Sequence, residues 1–108
     1  MAYDQVLADR VRDRLADAPG VTGRPMFGGL VFLEHGAMTV AVTGADLMVR
    51  VGKAGAADAL AQPGVRPSEI GGRPMGGWVV VDGAVLDDEA LSGWIDRART
   101  FVATLPPK

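Results

Sequence analysis

The chain has no cysteine and only one histidine among its 108 residues. Without cysteine there is no disulfide, no thiolate ligand for zinc and no thiol nucleophile, and the composition suits a reducing compartment. A transition-metal site is left short of ligands, and any Ser-His-Asp triad would depend on His35 alone. His35 stands in Glu34-His35-Gly36, which reads as an exposed hairpin turn, and neither Ser68 nor Ser92 has a nucleophile-elbow context. Aromatic residues make up 6%. Most of them, from Tyr3 through Phe32 and Trp94 to Phe101, fall at apolar core positions, which gives no base-stacking platform. The net charge is -2 and the isoelectric point about 5.2, so the strongly basic footprint of a nucleic-acid binder is missing and direct nucleic-acid binding is not expected. No apolar run approaches a membrane span, and the N-terminal MAYDQVLADRVRDRL carries charges where a signal peptide needs an apolar stretch. The expectation is a cytoplasmic protein with no membrane partner.

What is present reads as one domain, residues 1–108. Val6, Leu7, Val11 and Leu15 recur at helical steps and predict an amphipathic helix over about 3–18, with Arg10–Asp13 and Arg14–Asp17 as surface pairs. Pro19-Gly20 stops it. Residues 30–33, 38–42 and 47–51 read as three strands joined by short turns, an antiparallel meander. An Ala-rich helix over 53–62 ends at Pro63-Gly64. Residues 65–70 follow as an edge strand limited by Pro67, and then comes a strongly apolar strand at 78–81. The closing helix takes Asp87 as its N-cap and carries Leu91, Trp94, Ile95, Ala98, Phe101, Val102 and Leu105 on one stripe. The order is α-β-β-β-α-β-β-α, a two-layer α+β domain with an antiparallel sheet.

One step occurs twice. Gly-Arg-Pro-Met starts at Gly23 and again at Gly72. Each copy leads through a Gly-Gly pair, Gly28-Gly29 and Gly76-Gly77, into a strand. The economical reading is a strand-entry device: proline fixes φ, methionine fills an irregular gap, and the glycines allow a bulge or a close backbone approach. A nucleotide-binding loop needs a Lys-Ser/Thr pair and a following helix, and neither is here. The chemical alternative is an anion held by the exposed turn amides with help from arginine. Its residues are Arg24, Met26, Phe27, Gly28, Gly29, Arg73, Gly76 and Gly77. Arg50 and Arg66 join Arg24 and Arg73 as basic residues outside the helices, and a sheet that gathered them would offer a patch to an acidic partner. Asp82, Asp87, Asp88 and Glu89 lack any EF-hand spacing and are read as turn and helix-cap residues.

Met26-Phe27-Gly28-Gly29 before a long strand, with Leu47-Met48-Val49-Arg50-Val51 after a hairpin, resembles the N-terminal domain of the TfoX/Sxy competence-regulator family. Arg73-Pro74-Met75, Gly77-Trp78-Val79, the helical Trp94 and Leu105-Pro106-Pro107-Lys108 resemble a subgroup of short, stand-alone members. The resemblance runs over most of the chain, from about Tyr3 to Lys108. It implies a secretion-chaperone-like α+β layout, a tendency to dimerise and a co-regulatory role. The family's longer members carry a further helical C-terminal domain, which these residues do not match. The expectation is therefore a non-enzymatic regulatory or protein-interaction domain without cofactor, a homodimer with a further protein partner. The alternative is a small-molecule or anion-binding module at the Gly-Gly turns. The exposed face of the sheet, including Met38, Met48 and Arg50, or the edge strand near Ser68, is the expected dimer surface.

Overall fold

The computed structural model describes residues 3–26, 28–70 and 73–105 and, at 70 and 73–75, the backbone alone. Helix α1 spans Gln5–Arg14 and is followed by strands β1 (Val21–Met26), β2 (Gly29–Glu34), β3 (Ala37–Thr43) and β4 (Asp46–Arg50). Helix α2 (Lys53–Leu60), strands β5 (Val65–Ile70) and β6 (Arg73–Val81) and helix α3 (Asp88–Val102) complete the chain, with a single 3-10 turn at Gly83–Val85. Among the described residues the sheet has six strands in the order β1-β2-β3-β4-β6-β5. All neighbours are antiparallel.

The expected fold class holds, with one strand more than the patterning predicts. Val21–Met26 is itself a strand, so the first Arg-Pro-Met step lies within β1 and not merely ahead of β2. Its sequence, VTGRPM, has no apolar alternation. An edge strand needs none, because one backbone edge and much of its surface stay wet, and an edge is where proline fits. The second copy does open a strand: β6 begins at Arg73, earlier than the apolar run alone suggests.

Helix α1 starts where Asp4 Oδ1 accepts from the amides of Val6 and Leu7 at 2.8 and 3.2 Å. It ends at Arg14, sooner than expected, because the Leu15 amide turns back on both Val11 and Arg12. Leu7, Val11 and Leu15 are buried with Ala8, which takes the inward place expected for Val6; Val6 is 69% exposed. The α1 arginines do not form the predicted pairs. Arg12 pairs with Asp9, while Arg10 crosses to the Leu86 carbonyl at 2.7 Å and to Asp88. Asp87 caps α3 as read from the sequence, accepting from the Ala90 amide at 2.8 Å.

All three helices lie on one side of the sheet. Leu91, Ile95 and Ala98 of α3 meet Val40, Val42, Leu47 and Val49, and Leu7, Val11 and Ala59 bring in the other two helices. Arg97 joins two helices, pairing with Asp58 of α2 and donating to the Gly55 carbonyl, and Arg99 ties the helix layer to the sheet, gripping Glu34 with two bonds of 3.0 and 3.2 Å. The fork is what matters in the second pair, because a lysine cannot reproduce it. Arg99→Lys should cost about 1 kcal/mol in a denaturant titration, with an unchanged slope.

Candidate functional site

Strand periodicity divides the side chains between the two faces, and both faces are apolar. Opposite the helices, Val31, Ala41, Met48, Trp78 and Val80 form a second cluster, with Met26, Leu33 and Met38 packed against it. No helical residue belongs to this cluster among the described residues. An antiparallel sheet usually turns a polar face to water. Here the outer face is as apolar as the inner one through its centre.

The register fixes what surrounds that centre, because directly paired residues point to the same side. Arg24 pairs with Val31, Arg50 with Trp78 and Arg66 with Val80. Three of the four arginines singled out in the sequence therefore lie on the helix-free face. The side chain of the fourth, Arg73, lies outside the described residues. Arg50 is 5.9 Å from the Trp78 ring centre and 5.7 Å from that of Phe101, and it donates to the Met38 carbonyl at 3.1 Å. Arg66 pairs with Asp46 at 2.7 Å. Among the described residues Arg24 has neither an ion pair nor a hydrogen bond. Between β4 and the β5 edge the face sinks into a depression of about 420 Å³, lined by Met48, Val80, Thr43, Arg66, Ser68 and Glu69 among others.

Asp46 also accepts from the Gly83 amide at 3.1 Å. Burial would raise its carboxyl, but the Arg66 hydrogen bond, the Gly83 amide and the Arg66 charge together hold it below the ordinary 3.8. The fold thus favours the charged form, and the unfolded chain takes up the proton first. The stabilisation is present above that ordinary value and is lost as pH falls through the lower, folded-state value. In urea titrations Asp46→Asn should be less stable at neutral pH, and the gap to the parent chain should close as the medium is acidified below the carboxylate range.

The residues of the doubled motif do not converge. Arg24, Met26, Gly28 and Gly29 sit at the β1–β2 hairpin, on one edge of the sheet, and Arg73, Gly76 and Gly77 lie on β6 toward the other edge. The antiparallel course also puts the two Gly-Gly pairs at opposite ends: Gly29 is beside Val42, at the end of β3, and Gly77 beside Gly52, past the end of β4. One anion cannot touch both. Gly28 is open, while Gly29 is buried against the Val42 carbonyl. Gly76 is exposed, and Gly77 is buried with its carbonyl accepting from Val51 and Gly52. Phe27 lies outside the described residues. Met26, half-buried, packs on the helix-free cluster.

His35 is a hairpin-tip residue as expected, with φ 51°, and its amide donates to the Gly20 carbonyl at 2.8 Å. Ser68 is across the sheet on the β5 edge. The acidic residues near the last helix are occupied structurally: Asp82 caps the 3-10 turn, Asp87 caps α3, and Asp88 meets Arg10. Among the described residues no group of three or more histidine, cysteine or carboxylate side chains is placed to hold a metal ion, and no helix is long and apolar enough to cross a membrane.

The model of the TfoX N-terminal domain matches residues 13–102. The chain belongs to the TfoX N-terminal domain family. No curated protein and no solved structure matches it. The family match spans β1 through α3, so the whole sheet, the helix-free cluster and its arginines fall inside the TfoX N-terminal domain.

The sequence carried a signal for the face that site-by-site reading did not use. Residues 30–33 and 78–81 are continuously apolar and do not alternate, the mark of strands covered on both sides. Three short helices account for one side.

Proposed function

We propose that this TfoX N-terminal domain is a non-enzymatic interaction module of a regulatory system and binds a protein partner through the helix-free face of its sheet. The observation that carries the reading is the second apolar cluster, centred on Val31, Met48 and Val80, to which no helix contributes among the described residues. The cluster's members are only 2–9% exposed, so the face offers its border and the depression of about 420 Å³ beside Met48 and Val80, and guanidinium groups at such a border suit a contact surface. The test is a photo-crosslinking amino acid placed at Thr22, which is exposed and paired with Leu33 on this face, or at Asp13 on the wet side of α1. The expected result is a protein adduct in cells from the Thr22 position only, its partner then re-forming the complex with the domain when both are purified. Equal labelling from both positions, or none from Thr22, would overturn the proposal.

Pairing of two copies is a second use of the same face, and the apolar cluster favours it. A twofold axis pairs each residue with a different one on the second copy, and the face carries Asp46 and Glu69 beside its arginines, so charge does not decide between the two partners. Light scattering over a dilution series separates the two: a mass that halves on dilution supports self-pairing.

A further inference from the structure

We infer that two copies of this chain join their sheets edge to edge through β1, about a twofold axis at Gly23. Such a contact leaves the helix-free face open to another protein. The outer strands of the sheet are β1 and β5, and their backbone bonds show which groups are spare. In an antiparallel ladder, pairs that exchange hydrogen bonds alternate with pairs that do not. Beside β1 the His35 amide donates to the Gly20 carbonyl at 2.8 Å, so Thr22 and Arg24 bond to β2 while Val21, Gly23 and Pro25 turn their backbone groups to the open edge. Pro25 has no N–H, and facing outward it costs the pairing with β2 nothing. Beside β5 the Asp82 amide donates to the Gly64 carbonyl, so Val65 and Pro67 face outward in the same way. The β1 edge thus offers the amides and carbonyls of Val21 and Gly23 and the carbonyl of Pro25. The β5 edge offers the Val65 amide before Pro67, and an irregularity between Pro67 and Glu69, interrupt it. Of the two edges, β1 is the one able to take another strand.

The strand that fits is β1 itself. With Gly23 opposite its counterpart, the two glycines exchange both bonds across the axis, and each Val21 amide donates to the partner's Pro25 carbonyl. Val21, Gly23 and Pro25 point to the helix side: Gly23 is paired with Phe32 and Pro25 with Leu30, both in the core under the helices, and Val21 packs on that core. A depression of about 290 Å³ opens there, lined by Leu15, Ala18, Val21, Gly23 and Phe32 among others. The partner's Pro25 stands opposite Val21, at the rim of that depression, so apolar groups meet on this side. On the other side each Arg24 meets the partner's Thr22 and not a second arginine, which avoids the repulsion of like charges placed directly opposite. Pro25 closes the run at each end, and the interrupted β5 edge stops further addition. The pairing therefore ends at a dimer and does not grow into a fibre.

The experiment reads solution mass by light scattering from about 1 mM to about 1 μM, because an edge contact buries little area and dissociates in that range. The parent chain should pass from the mass of two chains to that of one on dilution. Gly23→Pro removes an amide that serves the open edge alone, so it should keep the parent circular dichroism and stay at the single-chain mass throughout. The chain has no cysteine, which allows a second reading that does not depend on Gly23. In this register Thr22 and Arg24, both exposed, face each other as a non-hydrogen-bonded pair with Cα atoms about 4.5 Å apart, within disulfide reach. Mixed Thr22→Cys and Arg24→Cys chains should oxidise to the mixed dimer about tenfold faster than mixed Thr22→Cys and Asp13→Cys chains. Should Gly23→Pro perturb the fold, the trapping decides. A single-chain mass at every concentration, or equal trapping in the two mixtures, would overturn the inference. So would a dimer that a folded Gly23→Pro chain still forms, since its contact would lie elsewhere. Thr22→Cys chains that trap fastest with themselves would overturn it too, because the axis would then pass through Thr22.

Discussion

Gly77→Ala should lower stability by about 3 kcal/mol, whereas Gly76→Ala, one residue earlier, should change it by less than about 0.5 kcal/mol. The two glycines look equivalent in the sequence and are not equivalent in the fold. Gly77 has φ 87°, a conformation that a side chain makes costly. A Cβ there would lie 3.3 Å from both the Gly52 carbonyl carbon and the Lys53 amide nitrogen, and backbone cannot swing aside as a side chain can. The same residue's carbonyl takes the Val51 and Gly52 amides at 2.8 and 3.0 Å, so relieving the strain by moving it breaks hydrogen bonds that start α2 correctly. A Cβ on Gly76 would meet only the methylene stem of Lys53, at 3.4 Å, which is free to move. Thermal unfolding should place Gly77→Ala about 12–20 °C below the parent chain. Equal melting points for the two variants would show that the carbonyl and not the φ angle is what this position needs.

The second large effect separates the two apolar clusters. Leu91→Ala should cost about 3–4 kcal/mol and Met48→Ala only about 1–2 kcal/mol. Leu91 is fully buried between α3 and the sheet, held from both layers, so the space left by truncation cannot collapse. Met48 is 8% exposed and borders the depression near β5, where water and neighbouring side chains can fill the gap. Its unbranched side chain is also replaced more cheaply. Urea titration of both variants decides this. If Met48→Ala proved as costly as Leu91→Ala, the helix-free cluster would be a structural core in its own right, and a partner surface would have to be sought elsewhere.

The parts of the fold legible in the sequence were those with a strong local period. The meander β2-β3-β4 follows from two short turns and alternation across Leu47, Val49 and Val51, and α3 from its stripe and the Asp87 cap. Strand β1 was not legible, because Gly23 and Pro25 in a mostly exposed edge strand leave no pattern to count. Val6 was misplaced because helical spacing defines a stripe only to within one residue, and Ala8, small enough to fit under the sheet, took the inward side. The candidate site was half legible. The arginines Arg24, Arg50 and Arg66 stood out by chemistry, and Met38, Met48 and Arg50 were assigned to one face by alternation. Which of the doubled Gly-Gly pairs would come together was beyond reach, since that depends on β6 entering beside β4 and leaving β5 outside, a choice made by long-range packing.

That entry of β6 leaves one seam in the sheet. Four of its five junctions join strands consecutive in sequence, and only β4 against β6 does not. The seam is riveted at both ends. The Gly77 carbonyl holds Val51 and Gly52 at one end, and Asp46 holds the Gly83 amide at the other. A joint fastened only along its middle would let the β1–β4 meander and the β5–β6 hairpin melt as separate units. Fastened at both ends, and with Arg66 of β5 reaching across to Asp46 of β4, the two are welded into one cooperative body. A load applied to the β4 side of the sheet is therefore felt at β5.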